Sequence, residues 1–208
     1  MFLDTYVRYR KLGRELNNKM IDSCLTKEIL NEAGKSLGML KDNTFIFDDE
    51  DESHILMDFA LYECKSGNKN AIKNYIEKIG GKNEEEKILL SGLENSYTSL
   101  FEVSDINPEK FSLILMDKLI KKENIVLIDR GFSLTGKKEM LIFARVIPIE
   151  NFFMTSGAAF AFNPQHEKTL LKEFESIKKS SQSSALDKEN FITAFKLSKI
   201  FGIDITFM

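Results

Sequence analysis

Residues Gly131-Phe132-Ser133-Leu134-Thr135-Gly136-Lys137-Lys138 come within one position of the phosphate-cradling pattern G-x-x-x-x-G-K-[ST]. They also follow a strand-like run, as that pattern requires. Two features argue against nucleotide binding. Lys138 stands where a hydroxyl residue would hold Mg²⁺. The next residues, EMLIFARV, read as a strand, so no helix N-terminus follows to receive a phosphate. The stretch is expected to be a polar connection, a hairpin turn with its glycines at positive φ. Gly34-Lys35-Ser36 lacks the upstream glycine and sits inside a helical pattern.

Arg145 is the most informative single residue. It lies in MLIFARVIPIENFFMTSGAAFAF (140–162), the longest nearly uncharged run of the chain. An arginine there must be paired or reach the sheet edge, because an unpaired buried charge is very costly. Asp129 and Asp117 are the expected partners of an internal ion pair. The functional alternative is an anion site. Arg130 and Arg145 would face a groove, and Thr155, Ser156 and Gly157 would add hydroxyl and backbone donors. Read structurally, Thr155-Ser156-Gly157 is a strand bulge.

Other chemistry is thinly represented. The acidic run Asp48–Glu52 lacks the spacing and central glycine of a calcium loop, and it reads as a solvated lead-in to a helix. His54 and His166, the only histidines, fall at helix starts without ligand-type neighbours. Cys24 and Cys64 form no CxxC and imply no disulfide framework, so a reduced, cytoplasmic protein is expected. No nucleophile signature is present. The expectation is a chain with no catalytic residues, metal ligands or cofactor.

The elements that would position these groups follow from periodicity. The central run is apolar on both faces and splits at Pro148 and Ile149–Asn151 into two strands of a buried hairpin. Around it, Leu100–Ser104, after a change of period at Tyr97, and Phe111–Leu119 and Ile125–Asp129 read as further short strands spaced by turns. Before them, helices are expected over 3–24, after the capping Thr26, over 53–65, up to Gly80-Gly81, and over 83–95. The segment LYECKSGNKNAIKNYIEKIG resembles half of a tetratricopeptide-type helical hairpin, with no 34-residue repeat around it. After them, Asn163-Pro164 opens one helix and Asp187 caps another. Lys178–Ser184 reads as a loop or hinge, and Ile203, Ile205 and Phe207 as a terminal strand.

The fold class is therefore α+β: a helical N-terminal part, a small antiparallel β-barrel or bent sheet, and C-terminal helices. The expected domains are 1–95, helical; 96–162, a small antiparallel β-domain; and 163–208, helices packing on the rest. Residues 97–103 (YTSLFEV), 127–136 (LIDRGFSLTG) and 141–162 resemble uncharacterised prokaryotic proteins. These join a helical part to a small β-domain, and some carry a Cys-rich C-terminal zinc motif of the type found at the end of the SecA ATPase. This chain lacks that tail, so the resemblance implies neither zinc nor an activity.

Charge narrows the partner class. The chain carries 29 Lys/Arg and 32 Asp/Glu, and the β-domain is balanced at 8 against 8. No segment has the basic excess of a phosphate-neutralising surface. No apolar run is long enough to span a membrane, and the N-terminus has no apolar signal core. Three readings follow. The first is a non-catalytic protein-binding or regulatory module; the basic first half of the first helix, with Arg8, Arg10, Lys11 and Arg14, would suit an acidic partner. The second is RNA or single-stranded DNA binding through Phe101, Phe111, Phe132, Phe152 and Phe153. The third is an enzyme on a small anionic substrate, using Arg130, Arg145 and Ser156. The oligomeric state is not legible.

Overall fold

The structure is a computed structural model and describes residues 2–120, 123–182 and 185–204. The chain divides into two compact units, Val7–Asn95 and the residues from Ser96 on together with those up to Tyr6.

The first unit is helical. Helix α1 (Phe2–Cys24) buries Tyr9, Leu16 and Met20 at helical spacing. Helix α2 (Lys27–Leu37) starts at Thr26, whose hydroxyl accepts the Ile29 amide at 3.4 Å, and stops at Gly38 with φ 76°. Helices α3 (Asp51–Tyr62), α4 (Ala71–Lys78) and α5 (Glu84–Glu94) turn Leu56 and Phe59, Ile72 and Tyr75, and Leu89 and Leu93 inward. Two tiny hairpins interrupt them. Strands β1 (Leu40–Lys41) and β2 (Thr44–Phe45) meet around Asp42 and Asn43, both at positive φ, as a two-residue hairpin turn demands. Strands β3 (Lys65–Ser66) and β4 (Lys69–Asn70) meet around Gly67, φ 66°.

The second hairpin corrects the tetratricopeptide comparison. Between α3 and α4 lies a strand pair, and Asn70 ends β4 and caps α4 in the same step. Two-residue strands leave no period in the sequence, so only Gly67-Asn68 marked a turn there.

The acidic run has a structural role. The Asp49 carboxylate accepts the Glu52 amide at 3.0 Å, and the buried Glu52 carboxylate reaches back to the Asp48 amide at 2.7 Å. Asn83 and Glu86 repeat the device at the start of α5, with bonds of 2.9 and 2.7 Å. Such reciprocal caps satisfy amides that the first helical turn leaves without partners.

The Lys82 amide, and after it Lys19, hold the Glu86 carboxyl below the ordinary carboxylate range. A depressed folded pKa stabilises the fold above the unfolded-state value, and the contribution vanishes as pH falls through the folded value. Glu86→Ala is expected to cost about 1–2 kcal/mol at neutral pH. Urea unfolding of both proteins across a pH series should show that gap close on acidification.

The second unit is built on a five-stranded closed barrel. Strand β5 (Tyr97–Asn107) pairs with β6 (Ser112–Asp117) on one side and β8 (Leu141–Ile149) on the other. Strand β7 (Ile125–Ile128) pairs with β6, and β9 (Phe152–Phe162) pairs with β8. These four seams are antiparallel. The closing seam, β7 to β9, is parallel and registers Leu127 against Phe153. Helix α6 (Arg130–Thr135) lies between the third and fourth barrel strands. A five-stranded Greek-key barrel in the order β5-β6-β7-β9-β8, with that helix placement, has OB-type topology. The short strand β10 (Gly202–Ile203) adds to the edge of β9 beside Phe162 and Ala161.

The interior is filled by alternate residues of each strand. Phe101 and Val103, Leu113 and Leu115, Ile125 and Leu127, and Met140, Ile142, Ala144 and Val146 form one cluster, with Phe132 of α6 entering from the end. The outer face of β8 and β9 is apolar too. Helices α7 (Glu167–Ser180) and α8 (Leu186–Phe201) cover it with Phe174, Phe191 and Phe195 against Phe143 and Phe160. This is why the central run is apolar in both directions. Lys118, just past β6, pairs with Glu102 at 2.8 Å and Glu167 at 2.7 Å, tying α7 to the barrel. Both carboxylates hold its ammonium above the ordinary lysine range.

Several local expectations change. The stretch 131–138 was read as a hairpin turn with positive-φ glycines. Its first half is instead helical, and Gly136 has φ −68°. Asp129 caps this helix, which the glycines had masked. Asn163 makes no side-chain cap; Pro164–His166 forms a 3-10 turn before α7. Asp187 lies inside the first turn of α8, whose cap position is Ala185. Helix α7 runs to Ser180, shortening the expected loop, of which Ser183 and Ser184 lie outside the described residues. Ile205 and Phe207 of the expected terminal strand lie outside them as well.

Candidate functional site

The residues proposed from sequence fall in two places. Arg145 lies on β8 between Ala144 and Val146, both of which point into the barrel, so alternation puts its side chain on the outer face. It is paired across the seam with Thr98, is 6% exposed, and donates from Nη1 to Ser96 Oγ at 3.2 Å. Thr155 is the register partner of Val146 and belongs to the interior side. Its hydroxyl donates to Asp129 Oδ2 at 3.3 Å, while Asp129 Oδ1 accepts the Phe132 amide at 2.9 Å. Arg145 and Thr155 therefore face opposite sides of one wall and do not converge.

Arg130 is exposed at the start of α6, with its guanidinium carbon 5.8 Å from the centre of the Phe111 ring. Ser156 lies in a bulge of β9. Between the pairs Ala144–Ala159 and Val146–Thr155, β9 carries extra residues, and Gly157 takes φ 126° there. The bulge reading of Thr155-Ser156-Gly157 thus describes the backbone. Of the two carboxylates expected beside Arg145, Asp129 receives the Thr155 hydroxyl and the Phe132 amide as described. Asp117 Oδ1 accepts Ser99 Oγ at 2.7 Å and the amides of Leu119 and Ile120 at 3.0 and 2.8 Å.

The rings considered for base stacking are mostly interior. Phe101, Phe132 and Phe152 are buried; Phe153 packs against the barrel cluster, and Phe111 lies under Arg130. His54 is exposed on α3, and His166 stacks on Phe201 at 4.6 Å. No group of three or more His, Cys, Asp or Glu side chains suited to a metal occurs among the described residues.

One surface stands out that the sequence reading did not name. On the outer wall of β6 and β7, Ile114 and Val126 are direct register partners, 37% and 44% exposed. Half-buried Met116 continues the row, and exposed Ser104 lies at the β5 bulge beside it. On the neighbouring strand β5, Glu102 is paired with Lys118 and Asp105 with Lys138 at 2.6 Å. A directly opposed aliphatic pair in solvent carries no chemistry but offers dry contact area. The signal was present, since SLILMD is apolar at both parities; one parity fills the barrel, and the other had no visible destination.

A match to a family of unknown function, DUF7986, extends over residues 1–208. The chain belongs to this family. No curated protein and no solved structure matches it. In this DUF7986 chain no helix among the described residues is long and apolar enough to cross a membrane.

Proposed function

We propose that the chain is a non-catalytic protein-binding module and that it docks a partner on the β6–β7 wall. The observation that carries this reading is the solvent-facing Ile114–Val126 pair, beside β5 carboxylates that are already ion-paired. Contiguous exposed apolar surface rimmed by polar groups is characteristic of association sites. Barrels of OB topology use this same wall for ligands, an analogy at the level of the fold. The test is affinity capture under mild lysis with the native chain and with Ile114→Lys/Val126→Lys. Both positions are exposed, so the pair should change stability by no more than about 1 kcal/mol. Proteins retained by the native chain and lost by the variant support the proposal. An identical set on both, or background alone, overturns it.

The strand order itself favours a second reading, single-stranded nucleic acid on the same wall. Buried Phe101 and Phe132 and the balanced charge weigh against it. Anisotropy with labelled oligo-U and oligo-dT at low salt separates the two, because electrostatic binding there is at its strongest.

A further inference from the structure

We infer that the free edge of β2 is a docking site for an extended, basic segment of a partner protein, which adds to it as a third strand. It lies in the helical unit, and three observations combine there.

The first is backbone direction. Lys41 pairs with Thr44 and Leu40 with Phe45, and the Ile46 amide donates back to Met39 at 2.9 Å. The extended segment thus continues past β2 to Ile46. Alternation along an antiparallel ladder then turns the amides of Phe45 and Phe47 away from β1. Beyond them lies no further strand among the described residues, since this sheet has two strands.

The second is side-chain character. Thr44-Phe45-Ile46-Phe47 is rich in strand-forming residues, with Ile46 54% and Phe47 39% exposed. The Phe45 and Phe47 rings stack, nearly parallel at 7°. Phe45 is itself lodged against Gly34, where an added Cβ would lie 2.5 Å from its ring. Phe45 is thereby anchored on α2, while Ile46 and Phe47 leave apolar surface exposed along the edge. Of the devices that blunt native edges, lysine, proline and a bulge are missing from Thr44–Phe47, and only the shortness of β2, two residues, is present.

The third is charge. Asp48, Asp49, Glu50 and Asp51 follow directly and are exposed. Asp49 serves the α3 cap, while Glu50 and Asp51 project from the start of the helix. Strand addition takes its affinity from main-chain bonds and its specificity from flanking side chains. Those flanks select an incoming strand with apolar residues opposite Ile46 and Phe47 and lysine or arginine beside the acidic run.

The test uses the full chain and a short fluorescein-labelled peptide alternating valine or threonine with lysine, beside a counterpart with glutamate in place of lysine. The lysine peptide should bind and the glutamate peptide should not, with affinity falling as salt rises. Ile46→Thr/Phe47→Thr should weaken binding about tenfold, and Glu50→Gln/Asp51→Asn should weaken it severalfold. Amide exchange supplies the second measurement, independent of the variants. Phe45 and Phe47 should gain protection on adding the lysine peptide, while Ile46, already bonded, stays unchanged. Equal binding of both peptides, no binding, or protection elsewhere would overturn the inference. So would a concentration-dependent dimer of the free chain abolished by Ile46→Thr/Phe47→Thr, because the edge would then belong to a second copy.

Discussion

Replacing Phe143 with alanine is expected to destabilise the chain by about 3–5 kcal/mol, the range for a large aromatic removed from a packed core. Phe143 is 1% exposed and sits at the meeting point of three elements. Its ring stacks on Phe174 of α7 at 5.5 Å, lies 6.2 Å from Phe191 of α8 at nearly a right angle, and 6.4 Å from Phe160 of β9. Neither helix can collapse onto a cavity without losing its other contacts. Urea unfolding measures the loss. Phe143→Leu, which keeps most of the volume, should cost clearly less. A drop below about 1 kcal/mol for the alanine variant would mean that α7 and α8 do not clamp the barrel as described.

Asp117→Ala should be nearly as damaging, at about 3 kcal/mol, for a different reason. Its Oδ1 receives Ser99 Oγ and two backbone amides, in a residue 4% exposed. Alanine removes the acceptor shared by three donors, of which the Ser99 hydroxyl is buried and the two amides are part-buried, and a buried donor without a partner is costly. Asp117→Asn keeps a carbonyl acceptor and should recover much of the loss.

A spectroscopic signature accompanies it. Burial first, and the Asp117 charge second, push the Tyr97 phenol up to about 12. Removing the charge should lower that value while leaving it above the ordinary range, because burial remains. Absorbance titration of the phenolate band reads this as the difference from a Tyr97→Phe control, since the chain has five tyrosines. The linkage has a definite sign. A folded pKa raised above the unfolded one makes stability fall as pH climbs from 10.0 towards about 12. An unchanged Tyr97 titration in Asp117→Asn would show that the two groups are not coupled.

The α+β class and the element order were legible because long elements repeat their pattern several times. Leu16 and Met20 on α1, or the alternating inward residues of β8, each add evidence to the same period. Caps were legible where one side chain acts on its own helix, as at Thr26. Reading failed where the decisive partner was distant or the element too short. Helix α6 looked like a turn because it is six residues long, with Gly131 inside it and Gly136 at its end, while its anchor Phe132 draws its meaning from the barrel cluster that it joins. The β3–β4 hairpin has too few residues for any period to show.

The candidate site divides in the same way. Residue type alone made Arg145 conspicuous and required that it be satisfied, since desolvation of a guanidinium is a local cost. Which face it takes, and that Thr155 takes the other, depends on register across β5, β8 and β9, which no single segment encodes. The same holds for Ile114 and Val126. Each is an unremarkable aliphatic residue in its own strand, and they become one surface only when β6 and β7 pair and barrel closure sends their neighbours inward. Sequence by itself determined the long helices and strands and that a charge such as Arg145 must be satisfied, because those are short-range matters of period and solvation. Tertiary structure alone decided the parallel closing seam, the wall that remains apolar in solvent and the free edge of β2, because each is a relation between strands that hydrogen bonding settles only once the chain has closed on itself.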